Sequence, residues 1–594
     1  MTFVRRLRPT QSELGQLDPA ALFEFQKGKL ITYEADEETT CLVELDEEPP
    51  HPLNQEALEV ALTVSLLLNA HPLDEIHVMR KVVIDGSNTT GFQRTSVVAL
   101  NGKLVVDGKD IPVQQVTLEE DAGRKTGETK DSVTFRLDRL CVPLIEVSTG
   151  PVIASPEEAG KTALAIGRVL RATRKVKRGL GSIRQDLNIS IKQGALVEIK
   201  GVQELELVSK VVEYEVQRQV TLLAIRDELQ KRNVKQTDIK DDFVDVTDIL
   251  SRSRSKIVQY ALKQGGVAHA VRLPGFKGLL GRELVPGVRL GTEMAKRAAF
   301  WGRVGGIFHS DELPGFGIEP SEVEGVSRKL QVGDLEAFAI IADTRENVMD
   351  GLKAVAERAR EATQVVPDET RAANPDGTTH YMRPRPGAAR MYPETDVPPV
   401  AVGRETLQRL KHALPRTTEE IAEDFQAKYS LSPKLAAQLA DSEFLTVFEE
   451  VVSPGTNVAP SYVATILTES LKSLQRDRVP VESLTEEHLR QAFNLAKRGE
   501  TAKEAILELL KWLAHHPEAE ASQAVKELDL KMLTRQDLEK VISKVLAENR
   551  SLVSENGSKA LGKMMNLVMA EVRGRADPRL VNELLRARLE KAAS

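Results

Sequence analysis

Cysteine is nearly absent from this chain, since only Cys41 and Cys141 occur among its 594 residues. Two cysteines cannot build a disulfide framework or, alone, a cysteine-rich zinc site, so we expect a reducing compartment and two buried thiols. No apolar run approaches the length of a membrane span, and the basic residues 2–9 are not followed by the apolar core of a signal peptide. These absences predict a cytoplasmic protein that is not embedded in a membrane.

Other absences restrict the chemistry. The chain has no G-x-x-x-x-G-K-[ST] segment, which argues against a P-loop kinase, and its ten histidines show no zinc or catalytic-triad spacing. A formal net charge of −7 argues against a generally basic nucleic-acid binder. Any contact with RNA must therefore depend on local basic patches.

The length exceeds what one hydrophobic core supports, so three or four domains are expected. Mixed strand and helix patterns come first, followed by a Gly- and Pro-rich α+β insert, a proline-dense return segment and two helical regions. The chain is thus predicted to be an α+β multidomain protein. The expected boundaries are 1–243, 244–370, 371–414, 415–550 and 551–594.

Several local patterns predict elements. Residues 81–100 place a Gly/Ser/Asn turn between two β-branched segments, which indicates a hairpin, and residues 55–69 form an apolar-rich helix candidate. Residues 182–191 alternate apolar and polar side chains, as in a strand with one polar face, with a slip of one residue at Gln185. Three capping boxes predict helix starts at Ser155/Glu158, Thr501/Glu504 and Thr534/Asp537.

Carboxylates in residues 118–206 are the first candidates for chemistry. Glu119, Glu120 and Asp121 form an acidic run, and such runs are as often solvated faces as sites. Glu146 lies inside the apolar run VPLIEVS, where an ionised carboxylate is costly unless it binds a metal or pairs with a cation. Metal ligation and an ion pair with Arg136 or Arg139 both remain open.

If Glu120 and Glu146 meet, their oxygens suit magnesium, which takes one or two carboxylates together with water and substrate phosphate. Asp186 and Asn188 could extend that site from a neighbouring strand. Lys81, Arg184 and Lys200 could then bind phosphate, although each alone is more often a surface charge.

Two basic clusters could contact RNA. Arg174, Lys175, Lys177 and Arg178 follow the helix predicted to start at Ser155, so they either bind RNA phosphates or complement the helix dipole. Arg573 and Arg575 belong to a second cluster that flanks the last predicted helix.

Co-linear motifs carry a family resemblance. LEEDAGR (118–124), DRLCVPLIEVSTGP (138–151), GSIRQDLNISI (181–191), VEIKGVQELE (197–206) and YPETDVPPV (392–400) resemble the GatB/GatE family of amidotransferase subunits, and in particular its archaeal E-type branch. The segment 557–591 is similar to the family's YqeY-like tail. The insert resembles a domain, called GAD, that is shared with bacterial aspartyl-tRNA synthetases. The resemblance covers nearly the whole chain.

The resemblance implies a mixed-sheet cradle domain in 1–243 and 371–414, with the synthetase-like insert at 244–370 and helical and tail domains beyond it. This cradle would use ATP and Mg²⁺ to phosphorylate the γ-carboxylate of Glu-tRNA(Gln), and ammonia would then give Gln-tRNA(Gln). Ammonia would come from an asparaginase-like glutaminase partner, GatD, in a heterodimer or heterotetramer. The helical and tail domains would hold the tRNA.

The residue patterns and the resemblance together give a set of expected site residues. They are Glu120, Glu146, Asp186 and Asn188 for catalysis; Glu120 and Glu146 for the metal; Lys81, Arg136, Ser182, Arg184 and Lys200 for ATP and phosphate; and Arg174, Lys175, Lys177, Arg178, Arg573 and Arg575 for tRNA.

One departure keeps an alternative open. Family members begin with a strand of the kind G-L-E-x-H, whose histidine joins the metal site, whereas this chain opens at TFVRRLRPTQSELG, which resembles sequence downstream of that strand. Either the gene model starts late or this member lacks that ligand. The alternative function is therefore a catalytically inactive tRNA-binding or assembly protein on the same scaffold. A stand-alone aspartyl-tRNA synthetase relative, the third hypothesis, rests on the insert alone.

Overall fold

Strands and helices alternate up to residue 412, and beyond it the described elements are helical. The computed structural model describes residues 1–11, 15–129, 131–177, 181–387, 390–452, 458–550, 552–553 and 560–593. They form two compact units, Met1–Leu414 and Pro415–Ser594. Among these residues, no helix combines the length and the apolar character that crossing a bilayer requires.

All the strands lie in the first unit. They are β1 Thr2–Arg5, β2 Leu30–Glu34, β3 His71–Pro72, β4 Glu75–Ile76, β5 Val78–Val82, β6 Phe92–Val106, β7 Lys109–Glu120, β8 Arg124–Glu128, β9 Ser132–Arg136, β10 Pro143–Thr149, β11 Gln185–Ile189, β12 Val197–Val202, β13 Phe243–Asp245, β14 Val267–Leu273, β15 Glu283–Val285, β16 Val288–Arg289, β17 Phe308–His309, β18 Ala337–Asp343, β19 Glu369–Ala373, β20 Thr379–Pro384, β21 Met391–Pro393 and β22 Val400–Ala401. Among the residues that the structure describes, the second unit contains no strand.

The helices occupy both units. In the first unit they are α1 Pro19–Gln26, α2 Gln55–Leu67, α3 Pro156–Ala172, α4 Leu205–Lys231, α5 Thr247–Leu250, α6 Lys256–Lys263, α7 Leu290–Gly302, α8 Pro320–Lys329, α9 Arg345–Ala362 and α10 Arg404–His412. In the second unit they are α11 Thr418–Tyr429, α12 Pro433–Ala440, α13 Leu445–Val451, α14 Pro460–Thr465, α15 Leu471–Arg476, α16 Glu486–Lys497, α17 Ile506–His515, α18 Ala521–Glu527, α19 Arg535–Glu548, α20 Leu561–Glu571 and α21 Pro578–Ala593.

The central sheet has the order β10-β7-β6-β5-β21, and every neighbouring pair in it is antiparallel. The predicted hairpin is confirmed, because β5 pairs with β6 across the turn. One face of the sheet packs Val98 and Leu118 against Leu58 and Leu62 of α2. The other face is therefore available for polar side chains, since successive residues of a strand point to opposite faces.

The second sheet has the order β11-β12-β19-β20. The predicted strand 182–191 appears as β11, and the predicted slip is a register shift between Gln185 and Leu187. Ile189 and Ile199 pack with Val208 and Val211 of α4, which buries one face. The opposite face carries the polar residues of the same strands.

Two more four-stranded sheets lie in the described part of the first unit, together with the two-stranded sheets β15-β16 and β22-β4. The N-terminal sheet, with the order β1-β2-β9-β8, buries Tyr33 and Phe135. The insert sheet, β13-β14-β18-β17, begins at Phe243, and α7 and α9 cover it with an apolar core that includes Met294 and Leu352. The chain returns to the second sheet at β19, which pairs in parallel with β12.

The second unit contains two apolar cores. The larger one extends from Ile421 to Leu530. The smaller one combines α19, α20 and α21 and begins at Leu538. The terminal bundle therefore starts with α19 rather than at the expected residue 551, because the apolar face of α19 packs on the last two helices. Residue 551 itself lies outside the described ranges.

The predicted helix starts had different outcomes. The side chains of Ser155 and Thr534 accept hydrogen bonds from the amides of Glu158 and Asp537, which confirms both caps. The prediction at Thr501 is wrong, because its hydroxyl donates to the carbonyl oxygen of Leu530 at 2.8 Å. The expectation of two buried thiols also fails, since Cys41 is exposed and Cys141 is only partly buried.

Candidate active site

Strand register collects polar side chains on the face of the central sheet that is turned away from α2. Glu119 of β7 lies opposite Thr95 of β6, and Glu146 of β10 lies opposite Thr117 of β7. Lys81 of β5 lies opposite Gln93, two residues before Thr95. Since side chains two residues apart share a face, these groups line one surface.

Glu119 is the most closely held carboxylate on this surface. Lys81 donates to its Oε1 at 2.7 Å, and the hydroxyl of Thr95 donates to the same oxygen at 2.8 Å. Gln93 donates to Oε2 at 3.3 Å. The Glu119 side chain is only 11% exposed, and donors from its two neighbours β5 and β6 fix its position.

Glu146 has a raised pKa. Although the residue is exposed, protein surrounds its carboxylate enough that desolvation is the largest cause, and the charge of Glu119 adds to it. Lys81 opposes these effects, and Asp186 contributes a further like charge. A carboxylate whose ionised form is disfavoured by burial and by a neighbouring negative charge gains from a bound cation.

The cation partners expected for Glu146 lie elsewhere. Arg139 pairs with Asp121 at 3.4 Å, and Arg136 lies in the N-terminal sheet, 3.9 Å from Glu34. The proposed structural ion pair for Glu146 is therefore wrong. The same placement removes Arg136 from the expected phosphate-binding group.

Glu120 and Glu146 do not meet, which corrects the expected metal pair. Glu120 lies opposite Pro143, three positions from Glu146, and an odd separation puts the two side chains on opposite faces. Glu120 instead accepts from Arg94 at 3.1 Å, and Arg94 also donates to Glu394 at 3.2 Å. Burial foremost raises the pKa of Glu120. Glu119, its neighbour in sequence, takes the place beside Glu146.

The second sheet carries a polar row across its four strands. Asn188 lies opposite Glu198, Glu198 opposite Thr370, and Thr370 opposite Arg383. The Thr370 hydroxyl donates to Glu198 at 2.8 Å. We call these four residues the cross-strand row.

Lys200 and Asp186 lie beside this row. Lys200 donates to Asp186 at 2.7 Å and also pairs with Glu198 at 3.1 Å. The charge of Asp186 contributes to the raised pKa of Glu146, so this end of the second sheet lies near the polar face of the central sheet. We call the region between these two polar faces the cleft. The structure thus brings together Lys81, Glu146, Asp186 and Lys200 from the expected set, with Asn188 in the adjoining row.

Arg184 and Ser182 stand apart from this cleft group. Arg184 donates to the buried carboxylate of Asp121 at 2.9 Å, which gives it a structural partner. Ser182 is partly buried in the loop before β11.

The expected tRNA-binding residues of the first unit follow α3. Arg174 and Lys177 are exposed, and Lys175 is 61% exposed although it pairs with Glu56 at 3.0 Å. Arg178 lies outside the described residues.

The two expected tRNA-binding residues of the second unit have different surroundings. Arg573 is 80% exposed and lies 3.7 Å from Glu508. Arg575 pairs with Asp529 at 2.7 Å and donates to the carbonyl oxygen of Glu571, so it joins elements of the unit. Arg575 therefore has a structural role that its sequence position did not indicate.

The carboxylates of this site fit magnesium only if other ligands complete its coordination. No group of three or more His, Cys, Asp or Glu side chains in the described part of the chain could enclose a metal ion. Glu119 and Glu146 are two hard oxygen donors, which is what Mg²⁺ uses when water and substrate phosphate supply its other ligands. Glu119 and Glu146 therefore fit a magnesium ion that binds together with a phosphate group.

Comparisons with known proteins show the family of this chain. Residues 22–408 match the family described as GatB/GatE catalytic domain, and residues 446–589 match the GatB domain. Three relatives are named as the E subunit of glutamyl-tRNA(Gln) amidotransferase. The protein of Thermococcus gammatolerans is 50% identical over 99% of this chain and 93% of its own length, that of Aeropyrum pernix 47% over 99% and 92%, and that of Methanocaldococcus jannaschii 46% over 99% and 93%.

Proposed function

The chain belongs to the GatB/GatE family, and we propose that it is the subunit of glutamyl-tRNA(Gln) amidotransferase that activates and amidates the glutamyl group. The observation that carries the proposal is the arrangement of Glu119 and Glu146 beside Lys81, facing Asp186 and Lys200 across one cleft. Paired carboxylates and nearby ammonium groups are what phosphoryl transfer to a carboxylate requires.

The chemistry explains why such a site needs cations. An oxygen of the substrate γ-carboxylate attacks the γ-phosphorus of ATP, and the bond to ADP breaks. Ammonia then attacks the carbonyl carbon, and phosphate leaves with the former carboxylate oxygen. Lys81 and Lys200 are the ammonium groups positioned to bind phosphoryl oxygens as negative charge develops there.

Magnesium and ATP are the cofactors of this proposal. Glu119 and Glu146 would hold Mg²⁺, which supplies charge neutralisation on the phosphates when bound. Lys81, which donates to Glu119, would bind a phosphate oxygen beside these two carboxylates. Asn188, which is exposed in the cross-strand row, would offer its amide to the substrate.

The proposal extends to the basic surfaces, the insert and the source of ammonia. Arg174, Lys175 and Lys177 in the first unit and Arg573 in the second are the exposed basic residues proposed to bind tRNA phosphates. Residues 244–370 are proposed to be the aspartyl-tRNA-synthetase-like insert. Ammonia is proposed to come from an asparaginase-like glutaminase partner (GatD) in a hetero-oligomer, and added ammonium would replace it in an assay.

The proposal is tested by incubating the chain alone with glutamyl-tRNA(Gln), MgATP and ammonium chloride. We expect Gln-tRNA(Gln) to form only when all three are present, as measured by chromatography of the amino acid released from the tRNA. A chain that binds tRNA and ATP but forms no amide would instead favour the inactive tRNA-binding alternative.

A further inference from the structure

Arg383 is buried, and none of the described carboxylates forms an ion pair with it. It belongs to the cross-strand row and is 7% exposed, and its Nε has no hydrogen-bond partner among the described residues. A buried guanidinium normally pairs with a carboxylate, because desolvating its charge is costly. Nearby carboxylates offset part of this cost through their charge, and an anion bound at Nε would satisfy the donor that has no partner.

A second arginine, Arg390, lies close enough for its charge to interact with that of Arg383. Arg390 immediately precedes β21, whose first residue pairs with Lys81, and it donates from Nε to the carbonyl oxygen of Val82 at 3.2 Å. Burial is the largest cause that lowers the pKa of Arg390, and the charge of Arg383 is the next. The two like charges thus interact with each other near the carbonyl end of β5.

The carboxylates around this pair are already bonded to other groups. Glu198 accepts from Lys200 and Thr370, and Asp85 accepts from the amide and hydroxyl of Ser87. Two more carboxylates act on the pair through their charge, and each has its own partners. Those partners are the amides of Ala21 and Gly387 for Asp18, and Lys27 for Glu24.

We propose that Arg383 and Arg390 form a phosphate-binding pair that completes the cleft. Guanidinium groups bind phosphate oxygens through two parallel hydrogen bonds, and an anion placed between them would offset both desolvated charges. The inference rests on the proposed function for the identity of the ligand, which is a phosphoryl group of ATP or a backbone phosphate of the tRNA acceptor end. It adds two residues that the sequence patterns did not indicate.

Inorganic tripolyphosphate is the direct probe, with binding measured by calorimetry. We expect Arg383→Gln and Arg390→Gln each to weaken tripolyphosphate binding by about tenfold or more, since each removes charge-assisted hydrogen bonds. Arg383→Lys should lose less affinity for tripolyphosphate, because lysine keeps the positive charge. It should still bind more weakly than the unmodified chain, since it lacks the paired donors of the guanidinium group. Arg385→Gln is the matched control, since Arg385 is 39% exposed and pairs with Asp368. We expect its effect to be less than about twofold.

A second readout separates binding from a structural role. Because an unpaired buried charge opposes folding, Arg383→Gln should not lower the thermal midpoint without phosphate, whereas loss of a structural ion pair would lower it. Tripolyphosphate should raise the midpoint of the unmodified chain more than that of either variant.

Two further ligands distinguish the sources of the phosphate. Weaker MgATP binding with unchanged tRNA affinity assigns the pair to the nucleotide, and the reverse assigns it to the tRNA backbone. Unchanged affinity for tripolyphosphate, MgATP and tRNA in folded variants overturns the proposal. Tripolyphosphate binding needs neither ammonia nor aminoacylated tRNA, so a failure of amide formation would not affect this result.

Discussion

Glu119 and Glu120 are consecutive residues with opposite surroundings. Glu119 faces Lys81 and Thr95, whereas Glu120 faces Arg94 on the other side of the sheet. The acidic run in the sequence indicated that a carboxylate of this strand belongs to the site, but it could not indicate which one. That choice depends on the pairing of β7 with β10, which only the folded sheet fixes.

This difference leads to a prediction for three matched variants. Glu119→Gln and Glu146→Gln should each reduce amide formation by about 100-fold or more, because each removes a charged oxygen donor from the proposed metal site. Glu120→Gln should retain activity within about tenfold, since its partner Arg94 also pairs with Glu394. Rates with glutamyl-tRNA, MgATP and ammonium measure the effect.

The affinity for tRNA and the thermal midpoint serve as controls. Glu146→Gln should leave the metal-free midpoint unchanged or higher, because it removes a carboxylate whose pKa burial and Glu119 raise. The assignment of Glu119 over Glu120 is wrong if Glu120→Gln abolishes turnover while Glu119→Gln does not.

At the scale of elements, local patterns predicted single strands and helices better than their pairing. β11, its slip at Gln185, the hairpin of β5 and β6, and the capped start of α3 all follow from side-chain periodicity and capping residues. The parallel pairing of β12 with β19 does not, because α4 and the whole insert separate the two strands in sequence. Arg383 could not be recognised as a cleft residue without that pairing.

A buried charge network shows the same limitation. Arg218 of α4 donates to Glu293 of α7 and, at 2.9 Å, to Glu369 of β19, while Arg358 of α9 donates to Glu293 at 3.1 Å. Arg371 of β19 also pairs with Glu293. Four elements from distant parts of the sequence meet here. No local sequence motif therefore predicts the network. It joins the insert to the second sheet.

We predict that Glu369→Gln lowers the free energy of unfolding of the first unit by about 3–5 kcal/mol, because it leaves buried guanidinium groups short of a partner. Glu369 accepts from Arg218 and Arg297, and Arg371 also pairs with it. Denaturation by urea measures the change. Glu346→Gln is the control, since Glu346 is 80% exposed and should change stability by less than about 0.5 kcal/mol.

The network also predicts a pH dependence. Burial alone would raise the pKa of Glu369, but the charges of Arg371, Arg297 and Arg218 lower it to about 2. Its contribution is therefore fully present above the unfolded value of about 4.3 and is lost as the pH falls toward 2. The difference between Glu369→Gln and the unmodified chain should shrink over that range. A difference that stays constant from pH 5 to pH 2.5 would contradict this account.

At the scale of the whole molecule, the division into units agrees with the change in sequence texture near residue 415. The first unit contains the catalytic-domain match up to residue 408, and the second contains the match at 446–589. Composition could indicate this division because the glycine, proline and strand signals end there. The start of the terminal bundle was placed too late, since the helix that opens it looks in sequence like a continuation of the larger helical region.

The central claim is that this cleft activates the γ-carboxylate of glutamyl-tRNA by phosphorylation before ammonia attacks. The most direct measurement uses glutamyl-tRNA labelled with oxygen-18 in that carboxylate, incubated with MgATP and ammonium. The account predicts one labelled oxygen in inorganic phosphate for each amide formed, because the carboxylate oxygen leaves with the phosphoryl group. Amide formation accompanied by unlabelled phosphate would contradict it.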